Sequence, residues 1–169
     1  MIPVTITYLE MRSPAELRAK PAPRPDLAIA RVLFPMPELN RFFYTAVGKD
    51  WRWYERLVWT DAGWLKYVDR PELQTWIISE EGIPAGYIEL EKQPGDDVEI
   101  VYFGLLPQFV ERGIGGWAIS EAVVKGWEMG AKRVWLHTCD LDHPRALANY
   151  LARGFKPYKT ETKMEDFPE

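Results

Sequence analysis

The chain has 169 residues, enough for one domain with a hydrophobic core, and we expect a single domain over residues 1–169. Hydrophobic residues make up 47% of the chain, which excludes a disordered protein, and the formal net charge of −4 argues against nucleic acid as a partner. Cys139 is the single cysteine and there are only two histidines, so we expect neither an internal disulfide nor a metal.

The N-terminal residues do not resemble a targeting segment. "MIPVTITYLEMRS" lacks the basic region followed by an apolar run that defines a signal peptide. No apolar stretch approaches the roughly 18 residues that a membrane-spanning helix needs. We therefore expect a cytoplasmic protein with no membrane partner.

The first half of the chain mixes strands, helices and one proline-rich segment. Alternating β-branched residues predict a strand over 3–11, and a second strand is predicted over 27–34. Between them, "SPAELRAKPAPRPD" (13–26) contains four prolines and is predicted to be a mobile loop, with room for one helical turn. Start and stop signals predict two helices, over 37–47 and 60–72.

The second half predicts an antiparallel meander followed by a crossover unit. Three strands are expected over 73–79, 84–92 and 97–106, joined by hairpin-like turns. An apolar stripe at helical spacing then predicts a helix over 113–130. The remaining predicted elements are a strand over 133–139, a short helix over 143–154 and one or two final strands. This order, β-β-β-α-β-α-β, indicates a mixed sheet with helices packed on it.

Three glycines, Gly113, Gly115 and Gly116, lie in four positions of "VERGIGGWA", where the predicted helix begins. Amides in the first turn of a helix lack internal partners, and the helix dipole places partial positive charge there. A phosphate satisfies both conditions, and glycines remove side chains that would keep it away. The alternative is a tight turn against the sheet.

Two nucleotide-binding motifs fit this stretch poorly. A Walker loop ends in Gly-Lys-Ser/Thr, whereas Gly116 and Trp117 follow Gly115. The dinucleotide fingerprint G-x-G-x-x-G/A is matched in its letters by Gly113, Gly115 and Ala118. However, that fingerprint follows a strand directly and belongs to a parallel doubly wound sheet, which the predicted antiparallel meander disfavours.

Three short motifs resemble those of the GNAT N-acetyltransferase superfamily. They are "GLLP" (104–107), "VERGIG" (110–115) and "YLARGF" (150–155), and the match covers roughly the last 75 residues. The resemblance implies an α/β fold, α+β in some schemes, with a mixed, largely antiparallel central sheet and helices on both faces. It also implies acetyl transfer from acetyl-CoA directly to an amine, which could belong to a small molecule or a peptide.

The resemblance also implies where acetyl-CoA binds. Backbone amides of the glycine stretch would hold the pyrophosphate, and the end of the preceding strand would bind the pantetheine arm, with the Leu105 amide facing the thioester oxygen. Val110 replaces the usual Gln or Arg, and His143 stands where many members have asparagine. The implied cofactor-binding residues are Gly104, Leu105, Leu106, Arg112, Gly113, Ile114, Gly115, Gly116, Trp117 and His143.

Glu99 and Tyr150 are the implied catalytic residues. Glu99 lies among apolar residues in "VEIVYFG", where burial would raise its pKa toward that of a useful general base. Glu89, on the neighbouring strand, and His137 are alternative bases. Tyr150 precedes Gly154 by four residues, where the family commonly has the tyrosine that protonates the departing thiolate. Its alternative role is packing on the helix face.

The acceptor pocket is predicted from aromatic residues that follow Gly48. Trp51, Trp53 and Tyr54 lie in a probable loop, and aromatic walls suit an apolar group or a cation, although core packing explains the same residues. His137 is a further candidate for this pocket. A Cys139–His137 nucleophile pair is disfavoured, because same-face strand neighbours are usually too far apart.

Several alternatives stay open at this level. A CoA-binding sensor or interaction module would use the same glycines without turnover, and a nicotinamide-dependent protein is a third hypothesis. The sequence does not identify the acceptor. It leaves a homodimer open as well.

Overall fold

The computed structural model describes residues 1–168. Its strands are β1 (Ile2–Met11), β2 (Leu27–Arg31), β3 (Leu73–Glu80), β4 (Ile83–Gln93), β5 (Asp97–Leu105), β6 (Arg133–Cys139) and β7 (Lys156–Glu165). Its α-helices are α1 (Pro37–Gly48), α2 (Asp61–Val68), α3 (Gly115–Glu128) and α4 (Ala146–Ala152). Each predicted element is present; β2, α2, α3 and α4 are shorter than predicted, and the C-terminal region forms a single strand.

All seven strands form one sheet in the order β2-β3-β4-β5-β6-β1-β7. Every neighbouring pair is antiparallel except β5 and β6, which the α3 crossover joins in parallel. The predicted mixed, mostly antiparallel sheet is thus confirmed. It does not fit the parallel doubly wound fold that the dinucleotide fingerprint requires.

Strands β5 and β6 are paired only at their beginnings. The parallel ladder joins Asp97–Glu99 to Arg133–Trp135 and then stops, although β5 continues to Leu105 and β6 to Cys139. The two strands therefore separate toward their carboxyl ends and leave a wedge in the sheet. Strand β1 lies on the far side of β6, so the wedge is internal to the sheet.

Helices cover both faces of the sheet, as expected. Tyr87 and Ile88 are adjacent in β4 and therefore point to opposite faces. Tyr87 stacks on Phe43 of α1, with ring centroids 5.1 Å apart, whereas Ile88 belongs to the main core together with Ile119 of α3. Both β4 residues are fully buried, so the central strand is closed on each side.

The proline-rich segment (13–26) is anchored, contrary to the prediction of a mobile loop. The Arg18 amide donates to the Arg153 carbonyl at 2.8 Å, and the Lys20 amide donates to Ser120 Oγ at 2.9 Å. Near its start the segment crosses Gly154, where a β-carbon would overlap the Glu16 carbonyl. Gly154 has φ +103°, a conformation that favours glycine. The segment consequently packs against both α3 and the end of α4.

Among the described residues, no helix is both long and apolar enough to cross a membrane.

Candidate active site

A cavity of about 1200 Å³ extends along the wedge between β5 and β6. We call the part around the loop before α3 the glycine end; it is lined by Lys20, Gly113, Gly115, Gly116, Asn149 and Arg153. We call the part below the segment after α1 the aromatic end; it is lined by Trp51, Trp53, Tyr54, Arg56, Trp59, Tyr67 and Tyr102. His137, Cys139, His143 and Tyr150 line the same cavity. The fold therefore brings together most of the predicted site residues.

The glycine end presents a run of unpaired amides. Gly113 has φ +79°, so the chain reverses there, and α3 begins two residues later at Gly115. In the part of the chain that the structure describes, the amides of residues 113–117 donate to no protein acceptor; the first bond of the helix runs from the Ala118 amide to the Ile114 carbonyl at 2.9 Å. Together with the helix dipole, these amides form an anion-binding surface.

The side chains of the loop do not all face the cavity. Ile114 is fully buried and Trp117 is 7% exposed; both belong to the hydrophobic core, so only their backbone can reach a ligand. The Arg112 side chain pairs with Glu80 at 3.5 Å, outside the cavity lining. The basic side chains beside the loop that line the cavity are instead those of Lys20 and Arg153, neither of which was among the predicted site residues.

The end of β5 offers backbone groups to the wedge. The Leu106 amide donates to the Ala85 carbonyl of β4 at 2.7 Å. Because hydrogen-bonded and non-hydrogen-bonded pairs alternate in an antiparallel ladder, the amide and carbonyl of Leu105 point away from β4, toward the wedge. Gly104 and Leu106 thus direct their backbone groups to β4, and Leu105 is the residue of this trio whose backbone groups face the wedge.

Gly104 itself has a packing role. A β-carbon there would overlap Val47 Cγ1 of α1 and lie 3.3 Å from the Trp53 ring. Its glycine therefore lets α1 and the aromatic end approach the β5 strand closely.

Glu99 is buried beneath the wedge and is only 9% exposed. Burial raises its pKa to about 7; the nearby Glu91 carboxylate acts in the same direction, and a hydrogen bond from Gln93 opposes them. That bond joins Gln93 Nε2 to Glu99 Oε2 over 2.8 Å. A carboxyl group with this pKa can accept a proton near neutral pH.

His137 lies between Glu99 and the cavity. Its Nε2 is 3.7 Å from Glu99 Oε1, and its ring lines the cavity, whereas Glu99 is not part of the lining. Desolvation lowers the pKa of His137, so the imidazole is neutral at physiological pH; at 3.7 Å it makes no direct hydrogen bond to Glu99.

The environment of Cys139 disfavours the thiolate form that a nucleophile needs. Burial raises the pKa of its thiol to about 11, with the Asp142 carboxylate adding to the shift, so a thiolate does not form at neutral pH.

Tyr150 lies on α4 and is 9% exposed. Burial raises the pKa of its hydroxyl group above the usual value, so the group keeps its proton at neutral pH. Its ring packs against Phe155 at a centroid distance of 6.1 Å. The residue therefore combines a packed ring with a protonated hydroxyl group in the cavity lining, and the two roles considered from the sequence are compatible.

Glu89, the alternative base, is committed to an ion pair. It is fully buried, and Arg56 Nη1 contacts its two carboxylate oxygens at 3.2 and 2.9 Å. Asn40 Nδ2 and the Tyr67 hydroxyl group donate to the same carboxylate, at 2.9 and 3.2 Å. A carboxylate that accepts from three side chains has no lone pair placed for a substrate proton, so the geometry favours Glu99 over Glu89.

The aromatic end is built around the guanidinium of Arg56. The Arg56 Cζ atom lies 4.0 Å from the ring centroid of Tyr67, 4.4 Å from that of Tyr102 and 4.8 Å from that of Trp59. These rings already hold a cation of the chain itself, and they are not the rings of Trp51, Trp53 and Tyr54 that were predicted for a substrate cation.

Trp51, Trp53 and Tyr54 do line the cavity, as predicted. Trp53 folds back on the end of α1, where a β-carbon at Gly48 would come within 2.5 Å of its own β-carbon. Trp51 meets the His143 ring at 5.3 Å, and Tyr54 meets Phe167, beyond the end of β7, at 5.7 Å. The C-terminal residues thus join the aromatic end, which the sequence did not indicate.

His143 is oriented by its neighbours. Its Nδ1 accepts from the Arg145 amide at 3.1 Å, which leaves the hydrogen on Nε2, 3.9 Å from Glu111 Oε1. The ring thus presents a donor near the glycine loop, where the family often has the amide of asparagine.

Within residues 1–168, no group of three His, Cys, Asp or Glu side chains is placed to hold a metal ion.

A protein-family model and several solved structures match this chain. The family model described as "Acetyltransferase (GNAT) family" matches residues 35–155. No curated protein sequence matches the chain significantly.

Solved structures share the fold at low sequence identity. A GCN5-related N-acetyltransferase from Kribbella flavida is 20% identical with a TM-score of 0.67; the alignment covers 94% of this chain and 56% of that one. An aminoglycoside acetyltransferase from a soil metagenome is 15% identical with a TM-score of 0.63, covering 85% and 96%. The ribosomal-protein-S18-alanine N-acetyltransferase of Escherichia coli is 12% identical with a TM-score of 0.61, covering 79% of both chains. The chain thus spans little more than half of the Kribbella structure.

Proposed function

The chain belongs to the GNAT acetyltransferase family, and on that premise we propose that it transfers an acetyl group from acetyl-CoA directly to an amine. The observation that carries this proposal is one cavity that contains unpaired amides at one end and His137 along its course, with Glu99 behind His137 at 3.7 Å. We further propose that residues 1–169 act as one catalytic domain in the cytoplasm, without nucleic acid, membrane or metal.

The residues present fit acetyl-CoA. Unpaired amides of residues 113–117 suit a diphosphate, and a side chain at Gly116 would collide with the Lys20 and Arg153 side chains beside them. The free edge of β5 at Leu105 suits the pantetheine arm, whose amides can pair like those of a strand. When bound, acetyl-CoA supplies an activated thioester carbonyl. The Leu105 amide is the group of the chain that points into the wedge to polarise that carbonyl oxygen.

Three side chains would handle protons in this reaction. His137 accepts the proton of the attacking amine and shares it with Glu99, whose pKa of about 7 lets it hold the proton near neutral pH. Tyr150 keeps its own proton at neutral pH and can donate it to the departing thiolate. The raised pKa of the Cys139 thiol disfavours an acyl-enzyme on this residue, which supports direct transfer.

The acceptor is a small-molecule or peptide amine. Two of the structurally similar proteins are named for such acceptors: one is an aminoglycoside acetyltransferase, and the other acetylates the alanine of ribosomal protein S18. The aromatic end supports an acceptor that packs an apolar part against Trp53 and Tyr54.

A panel of amines, assayed through release of the free CoA thiol, tests the proposal. We expect at least one amine to release CoA in a reaction that Glu99→Gln slows strongly while CoA still binds. If the wild type binds CoA but acetylates no amine in the panel, the chain is a CoA-binding sensor or interaction module. If NAD raises the melting temperature and CoA does not, the assignment of the cosubstrate is wrong.

A further inference from the structure

The proline-rich segment reaches the glycine end through a chain of hydrogen bonds. The Lys20 amide donates to Ser120 Oγ at 2.9 Å, and that hydroxyl group donates to the Gly116 carbonyl at 2.7 Å. The Lys20 backbone is therefore tied to the first turn of α3, and the Lys20 side chain is exposed.

The Lys20 and Arg153 side chains converge on the unpaired amides. A β-carbon at Gly116 would lie 2.6 Å from Lys20 Cδ and 2.7 Å from Arg153 Nη1. Lys20 comes from the connection between β1 and β2, and Arg153 from the end of α4. Two cationic side chains thus approach the same turn from opposite ends of the sequence.

Neither side chain has an anionic partner. In the described part of the chain, Lys20 Nζ and the Arg153 guanidinium form no ion pair and no hydrogen bond, and Arg153 Nε is buried without a partner. The other basic residues of this region differ, because Arg24 and Arg112 both pair with Glu80. A buried donor without an acceptor is costly, so the Arg153 Nε indicates that an anion completes the site.

Arg24 orients the loop between them. Its Nη1 donates to the Arg112 carbonyl at 2.8 Å. Because the carbonyl and the amide of a trans peptide point in opposite directions, this bond turns the Gly113 amide away from Arg24. Arg24 is thus a positioning residue, and Lys20 and Arg153 are the charges left to meet a ligand.

We propose that Lys20 and Arg153 bind the diphosphate of the CoA cosubstrate, so that the segment from Leu17 to Arg24 forms part of the cofactor site. This inference rests on the proposed function. A diphosphate across the amides of 113–117 would give both cations an anionic partner and would occupy the buried Arg153 Nε. The charge-bearing side chains of the site would then come from outside the glycine loop.

Calorimetric titration of CoA and 3′-dephospho-CoA, which keeps the diphosphate, tests the inference. The variants are Lys20→Gln, Arg153→Gln and their combination, with Lys66→Gln on the exposed side of α2 as the matched control. We expect each single substitution to raise the dissociation constant of both ligands about tenfold and the double substitution about a hundredfold, with no change for the control. Lys20→Arg and Arg153→Lys keep the charge and should retain most of the affinity.

The outcomes separate this inference from the proposed function. If the wild type does not bind CoA, the proposed cosubstrate is wrong. If the wild type binds and the double variant binds equally well, only the role of the two side chains is overturned. A loss that occurs with CoA and disappears with 3′-dephospho-CoA would assign them to the 3′-phosphate and overturn the diphosphate assignment. A matching fall in the melting temperature of the unliganded variants, with no recovery in the charge-preserving variants, would show a structural role instead.

Discussion

The two ends of the cavity are built on different principles. At the glycine end, the binding groups are backbone amides of residues 113–117, and two unpaired cations lie beside them. At the aromatic end, the surface consists of side chains, and its cation, Arg56, is already paired with Glu89. The donors of the glycine end lack acceptors within the described part of the chain, whereas the cation of the aromatic end already has its carboxylate partner. Under the proposed function, the cosubstrate would be bound largely through backbone groups, whereas the acceptor would meet a side-chain network that is already assembled.

The side chains proposed to move protons belong to the region between the two ends, and removing one should have the largest effect. Glu99→Gln should lower kcat about 10²- to 10⁴-fold, because it removes the final acceptor of the amine proton. In the wild type, activity should rise with pH through about 7, since Glu99 must be deprotonated to act. In a pH–rate profile, the Glu99→Gln variant should not show this rise in activity near pH 7. Exposed Glu128→Gln is the control; a step near 7 that survives in Glu99→Gln would assign it to another group.

The aromatic end is tested by breaking its ion pair. Arg56→Met leaves Glu89 buried without its cation and should lower the free energy of unfolding by about 3–5 kcal/mol, measured by urea denaturation. The double variant Arg56→Met/Glu89→Leu should recover much of this loss, because no buried charge remains. If Arg56→Met is as stable as the wild type, the Arg56–Glu89 ion pair does not contribute to the stability of the folded chain.

Burial of Glu99 also predicts a pH dependence of stability. Its pKa is about 7 in the folded chain against a usual 4.5, so the folded state binds its proton more tightly than the unfolded state. This contribution, up to about 3 kcal/mol, should be present below pH 4.5 and be lost as the pH rises through about 7. Comparison of wild type and Glu99→Gln by denaturation at pH 5 and pH 8 isolates it. A wild-type-to-variant difference that does not change with pH would contradict the buried state of Glu99.

The glycine end is tested by adding one carbon. Gly116→Ala should push the Lys20 and Arg153 side chains aside and raise the dissociation constant of CoA about tenfold, measured calorimetrically. Stability should hold or rise slightly, because both contacts are flexible side chains and alanine favours helix more than glycine does. Gly63→Ala in α2, whose β-carbon would make ordinary contacts, is the control. If the dissociation constant of CoA is unchanged in Gly116→Ala, Gly116 serves packing and not CoA binding.

The proposed proton donor is tested at Tyr150. Tyr150→Phe keeps the ring that packs on Phe155 and removes the proton donor, so kcat should fall by roughly tenfold to a hundredfold with little change in melting temperature. A stability loss with normal kcat would assign Tyr150 to packing alone.

The sequence by itself determined the order of the elements and the glycine end. Periodicity, turn residues and the three glycines of 113–116 act over a few neighbouring positions, so local pattern suffices to predict β5, the loop and α3. The loop contributes backbone amides, which do not depend on the identity of distant side chains. For that reason a short motif could indicate an anion site before any contact was known.

The tertiary structure alone decided which side chains meet. The proline-rich segment looked mobile because its local sequence favours no regular structure, but bonds to Ser120 and Arg153 anchor it. Lys20 and Arg153 are separated by most of the chain, and Arg56 could be assigned to Glu89 only once α1, α2 and β4 were packed together. Contacts at such separation depend on the register and packing of the whole sheet, which no local pattern of residues encodes.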